Sequence, residues 1–288
     1  MSETELQNAV AAPREPRVVS RVASEEVDSG LPSPELPPLS LAARLRSNLI
    51  QTPIFAVTTG LFGSFALLVS LADKDGRRQH AIAHRWAKCM AVIAGAPVTI
   101  VGKDNLTRYP VAVYASNHLS YMDTPVLFGS LPFQFRILAR HNLWQLPFIG
   151  WYLNRSGQIP VNADNPRASI TSLNAGAKAL KAGMPLVVFP EGGRSVDGHL
   201  KDFMSGPAFM AIKAQVPLVP MALVGTHELF PMHTHHFRPR PVKLVVGEPI
   251  DTTGMHTREA NQLTAQLRTV IARLYYEHAE RGPEPPLP

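Results

Sequence analysis

Residues 116–123 read Ser-Asn-His-Leu-Ser-Tyr-Met-Asp and follow directly on the apolar run Val111-Ala112-Val113-Tyr114-Ala115. An imidazole can take and return a proton near neutrality, and a carboxylate bonded to one ring nitrogen fixes its tautomer and favours the imidazolium. A strand ending near Ser116 exposes His118 in the next turn. Asp123 then falls in or near the first turn of the following helix, from where its carboxylate can turn back to the ring. The second ring nitrogen is left to accept a proton from an alcohol, and no serine nucleophile is needed if the substrate supplies the hydroxyl. The same two residues also fit a purely structural strand end, so the reading needs a second element.

That element is residues 187–206, VVFPEGGRSVDGHLKDFMSG. Here an apolar strand runs into Pro190-Glu191-Gly192-Gly193-Arg194-Ser195. Glycines let backbone amides approach a ligand, and the arginine fork suits a phosphate. Other chemistries lack their signatures. There is no Gly-x-Ser-x-Gly elbow, Gly102-Lys103 has no upstream phosphate-loop glycine, and His227-Glu228 is followed by Pro231 where a zinc protease needs histidine. His233, His235 and His236 are close enough in sequence for a metal site, but a histidine run beside proline in a loop is more often solvated surface.

Short apolar runs at 97–101, 111–115, 135–139, 185–190, 217–224 and 242–247 read as strands. Helical patterns at 166–181, 208–214 and 258–278 alternate with them, the first opened by Asn165 as cap and Pro166 in the first turn. The alternation predicts a mixed, mostly parallel α/β sheet flanked by helices, with ligands bound at the carboxyl ends of the strands.

The flanking segments are of another kind. Residues 1–40 hold six prolines and seven acids against three arginines, and read as a disordered tail, as do residues 281–288. With a whole-chain charge of +6, residues 41–288 carry an excess of ten positive charges, which suits an anionic partner. No nucleic-acid module is present, so phospholipid or a phosphorylated substrate is the better match. One cysteine, Cys89, excludes an internal disulfide. No residue between Ser47 and Ala72 is charged, and residues 49–72 would span roughly 36 Å as a helix, enough to enter or cross a bilayer. In residues 77–95, Ile82, Trp86, Met90 and Ile93 share a helical face opposite His84, Arg85 and Lys88. Two readings stand for that helix: one lies along a membrane surface, the other packs on the domain. The expected organisation is a membrane-associated helical hairpin over 41–96 and an α/β domain over 97–280. The flanking charges, Arg44 and Arg46 before the apolar run and Lys74, Arg77 and Arg78 after it, are balanced, and the expected location is the cytoplasmic face of the cell membrane, anchored through 47–95.

Taken together, these motifs resemble the glycerolipid acyltransferases, specifically the 1-acyl-sn-glycerol-3-phosphate acyltransferase family. The NHxxxxD block is intact as Asn117, His118 and Asp123, and the FPEGTRS block runs from Phe189 to Ser195 with Gly193 in place of threonine. Residues 219–225, VPMALVG, match a fourth block. LPFIGWYLNRSGQIPV resembles the second, although its usual acid and arginine ending is here Asn162-Ala163. The resemblance implies acyl transfer from acyl-CoA or acyl-carrier protein to a lyso-lipid hydroxyl, with membrane phospholipid as product and neither metal nor cofactor. It implies His118 as general base and Asp123 as its orienting partner. Asn117, Glu191, Gly192, Gly193, Arg194, Ser195 and Pro220 are implied as substrate-binding. Without the second-block arginine, Arg155 and Arg167 are candidates to replace it. Another lyso-lipid acceptor, such as lyso-ornithine lipid, stays open for the same reason, and so do a thioester hydrolase and a non-catalytic lipid-binding relative.

Overall fold

The computed structural model describes residues 36–146, 149–162 and 166–279. The tails expected at 1–40 and 281–288 fall almost entirely outside those residues, as do the Asn165 cap and Ala163. Among the described residues, seven strands form one sheet in the order β1-β7-β6-β2-β5-β3-β4. They are β1 (Val98–Val101), β2 (Val113–Ser116), β3 (Arg136–Arg140), β4 (Ile159–Val161), β5 (Leu186–Val188), β6 (Leu218–Val224) and β7 (Val242–Val246). All neighbours are parallel except β6 and β7, so β1 and β7 run against the other five. This is the mixed, mostly parallel sheet that the alternation predicts.

Alternate side chains of the central strands feed two cores. Tyr114, Val187, Val219, Met221 and Leu223 point to one face, where α3 (Arg77–Ala94) and α5 (Asp123–Ser130) cover them. Val113, Ala115, Leu186, Val188 and Leu218 point to the other, beneath α7 (Pro166–Lys181), α8 (Gly206–Ala214) and α10 (Ala260–His278). Central strands β2, β5 and β6 are buried on both faces, which is why they read as continuous apolar runs. The chain leaves β2 for β3 on one side and β5 for β6 on the other. Connections diverging in this way open a crevice at the carboxyl ends of the strands.

Before the sheet, Leu41–Ser70 forms one helix through α1 (Leu41–Arg46), a π turn (Ser47–Gln51) and α2 (Thr52–Ser70). It is long and apolar enough to cross a membrane. A stripe with Ser47, Gln51, Phe55, Thr58, Phe62, Ala66 and Ser70 turns inward, while Ile54, Val57, Leu61, Phe65 and Leu68 stay exposed. In α3 the predicted apolar face is covered: Ile82 and Met90 are buried, and the helix packs between α2 and α5. The outer side of the helix, with Arg85, Lys88 and Val92, stays exposed. The pair is fastened at both ends. Phe237 N–H donates to Ser47 Oγ (2.9 Å) and Gln51 Nε2 to Ile93 O (2.8 Å) at one end, and Arg136 Nη2 and Gln134 Nε2 donate to Asp75 O (3.1 and 2.9 Å) at the other.

The edge strand β1 is closed by Gly102, whose φ of +72° and lack of a side chain let the chain pass against β7; an added Cβ would lie 2.1 Å from Val246 O. Gly102→Ala therefore combines left-handed strain with a backbone clash, and should lower unfolding stability by more than about 2 kcal/mol in urea titrations.

Candidate active site

β2 is fully buried between β5 and β6, and its carboxyl end delivers residues 117–123 to the crevice. His118 Nδ1 lies 2.7 Å from Asp123 Oδ2. The same oxygen accepts the backbone N–H groups of Leu119 (2.6 Å) and Ser120 (2.8 Å). Asp123 is the first residue of α5 and is wholly buried, so a carboxylate there also faces the positive end of the helix. With Asp123 accepting, Nδ1 carries the hydrogen and Nε2 is the ring nitrogen left for proton transfer. The His118 side chain keeps 15% exposure, enough to meet a substrate.

The turn after β5 clamps this histidine. Phe189 stacks on the imidazole at 3.8 Å between centroids with 13° between planes. Glu191 Oε1 accepts His118 N–H (2.8 Å), and Ser195 N–H donates to His118 O (2.9 Å). Glu191 Oε2 accepts Lys201 N–H at 3.2 Å, and Ser195 Oγ donates to Asp197 Oδ1 at 2.7 Å. Burial pushes the Glu191 carboxyl up to about 8, against the two N–H donors and nearby Lys201, which pull it down. Gly192 takes φ +70°, and a Cβ there would meet Met204 at 2.5 Å. Gly193 has room: the nearest atom to an added Cβ is Lys201 Nζ at 3.9 Å. A side chain such as threonine fits there, so glycine at this position loosens the turn without reshaping it.

A model of the acyltransferase family, described as Acyltransferase, matches residues 97–224. The chloroplastic 1-acyl-sn-glycerol-3-phosphate acyltransferase of Arabidopsis thaliana is 31% identical over 256 residues, covering 85% of this chain and 68% of that protein. A Chlamydomonas reinhardtii protein of the same name is also 31% identical, covering 82% and 71%. The chain belongs to the 1-acyl-sn-glycerol-3-phosphate acyltransferase family. Its fold matches the crystal structure of the 1-acyl-sn-glycerophosphate acyltransferase PlsC from Thermotoga maritima, with a TM-score of 0.67 and 26% identity over 80% of this chain and 95% of that one. The chain is an acyltransferase, and its motifs can be assigned by position.

Several residues of the family's motifs are turned onto the protein itself in this structure. Asn117 is buried and pairs with β6 through both ends of its amide, to Leu223 O (2.9 Å) and Leu223 N (2.7 Å). It extends the β2–β6 ladder and has no free polar edge for a ligand. Glu191 is buried with its oxygens on backbone amides. Ser195 is buried and spends its hydroxyl on Asp197. Pro220 sits inside β6, level with Ala115 of β2 and short of the strand end.

Partly exposed cations remain at the crevice. Arg194 lies on the glycine turn, its guanidinium 3.8 Å over the Tyr121 ring, and Lys201 reaches the same turn. Arg167 opens α7 just after the carboxyl end of β4. Arg155 ends α6 (Ile149–Arg155) beside Gly157, which packs on Arg136 at the opposite end of the sheet. Sequence reasoning missed Arg140, the exposed last residue of β3, and Lys201. A basic residue at the carboxyl end of a predicted strand was the available signal for Arg140. Lys201 had none, because its place depends on how the 195–205 loop folds back.

Glu191 makes the site's stability depend on pH. Its folded pKa of about 8 lies above the ordinary 4.5, so the native state keeps a proton that the unfolded chain loses. That contribution is full below about pH 4.5 and is lost as pH rises through about 8. Glu191→Gln stays neutral throughout. Between pH 5 and 9 the urea midpoint of wild type should fall relative to that of the variant.

Proposed function

We propose that this chain transfers a fatty acyl group from acyl-CoA or acyl-carrier protein to the sn-2 hydroxyl of 1-acyl-sn-glycerol-3-phosphate, giving phosphatidic acid. The observation that carries the reading is a histidine with Nδ1 held by a buried aspartate at 2.7 Å, next to a turn bearing Arg194 and Lys201. The cations hold the acceptor's phosphate, and His118 Nε2 takes the hydroxyl proton as the oxygen attacks the thioester carbonyl. Backbone N–H groups of the glycine turn stabilise the oxyanion. The tetrahedral intermediate expels the thiolate, which recovers the proton from the imidazolium. One ester bond forms and one C–S bond breaks, with no covalent enzyme intermediate. The names of the relatives, 1-acyl-sn-glycerol-3-phosphate acyltransferases, support the acceptor in this reading.

Membrane association belongs to the same reading. From Ser47 to Ser70 the helix carries no charge, yet it packs on the protein mainly through one side and leaves Ile54, Val57, Leu61, Phe65 and Leu68 exposed. Lipid is the solvent that suits its outer face. A two-chain product is held in water only at a cost of about 0.8 kcal/mol per exposed CH₂, which a catalyst seated at the cytoplasmic leaflet avoids. A second acceptor, another lyso-lipid, is favoured by one observation: Asn162-Ala163 stands where the family's second block ends in an acid and arginine.

Thiol release from oleoyl-CoA in detergent, with a panel of lyso-lipids, separates these readings. Wild type should require lysophosphatidic acid, and His118→Ala should lower turnover by about a thousandfold. Activity with only another lyso-lipid would keep the chemistry and replace the acceptor. Release without any acceptor would make the chain a thioester hydrolase.

A further inference from the structure

Arg194 is the cation most directly presented by the glycine turn, and its orientation has an identifiable source. Its Nε is buried and, among the described residues, has no hydrogen-bond partner. Its guanidinium carbon lies 3.8 Å from the centroid of Tyr121. At that distance a guanidinium is held against the ring face, which leaves its N–H edge directed away from the ring.

The ring is itself fixed. Tyr121 lies between Ser120, whose N–H is bonded to Asp123, and Asp123. Ser120 Oγ donates to Phe230 O at 2.8 Å, and Phe230 meets Tyr121 edge-on at 6.2 Å. Phe230 packs on Phe237 (4.6 Å) and Phe237 on Phe55 of α2 (5.5 Å). A column of rings thus runs from the apolar helix to the mouth of the crevice, where Tyr121 is 51% exposed.

We propose that Tyr121 is a positioning residue for the acceptor site: its ring face presets the Arg194 guanidinium to receive the phosphate of the lyso-lipid. The inference rests on the phosphate-bearing acceptor proposed above. It uses the face of the ring and not the hydroxyl, so any aromatic side chain should serve. A structural role in folding would not distinguish acceptor from donor, whereas this role does.

Steady-state kinetics with lysophosphatidic acid and oleoyl-CoA test it on wild type, Tyr121→Phe, Tyr121→Trp and Tyr121→Leu. The Phe and Trp variants should keep the acceptor KM within about twofold, and Leu should raise it about tenfold, with kcat and the thioester KM unchanged. In an Arg194→Ala background the Leu substitution should add nothing. An unchanged acceptor KM in Tyr121→Leu, an equal loss in kcat and both KM values, or full additivity with Arg194→Ala would overturn the role of Tyr121 while leaving the acceptor assignment intact. A wild type that ignores lysophosphatidic acid would overturn the acceptor assignment, and this role with it.

Discussion

One carboxylate oxygen organises the catalytic end of this molecule. Asp123 Oδ2 accepts His118 Nδ1–H and the amides of Leu119 and Ser120, while Oδ1 is buried without a partner among the described residues. Charge-assisted bonds of this kind are about twice as strong as neutral ones. Concentrating three on one oxygen closes the turn from β2 into α5 and fixes the imidazole in the same act. The burial that makes the group costly to leave unpaired also makes the geometry hard to relax. Tyr121 lies inside the turn that these bonds close, so the His118 imidazole and the ring under Arg194 share one anchor.

The second motif completes what the first begins. Phe189, Glu191 and Ser195 contact the His118 ring face, N–H and C=O respectively, so two segments some seventy residues apart in sequence fold as one unit. The result is a division by charge. Carboxyl groups of Asp123 and Glu191 are turned inward onto N–H donors, and the guanidinium and ammonium of Arg194 and Lys201 are left toward solvent. That sorting leaves positive charge at the outer edge of a site built around two acids.

Much of the fold was legible because buried parallel strands leave apolar runs that solvent-facing strands do not. Six of the seven strands were found this way, and β4 was missed because Ile159–Val161 is three residues long with a proline at its centre. The reversed direction of β1 and β7 was also hidden, since a short apolar run looks alike from either end. For the site, the spacing of His118 and Asp123 carried the contact between them. It did not show which way Asn117, Glu191 and Ser195 would turn, because a polar residue at a strand end can face a ligand or a backbone with equal ease. For α3, composition gave an amphipathic helix but not the identity of its apolar partner, which is the protein on two sides.

The account stands on the charge of Asp123 holding His118, and the most direct measurement is the turnover of Asp123→Asn. Asparagine can place its oxygen where Oδ2 accepts the three N–H groups, so the turn keeps its shape while the negative charge facing the imidazolium is lost. A variant that unfolds with the cooperativity of wild type but turns over about a thousandfold more slowly is the predicted result. A folded Asp123→Asn enzyme within tenfold of wild type would contradict it.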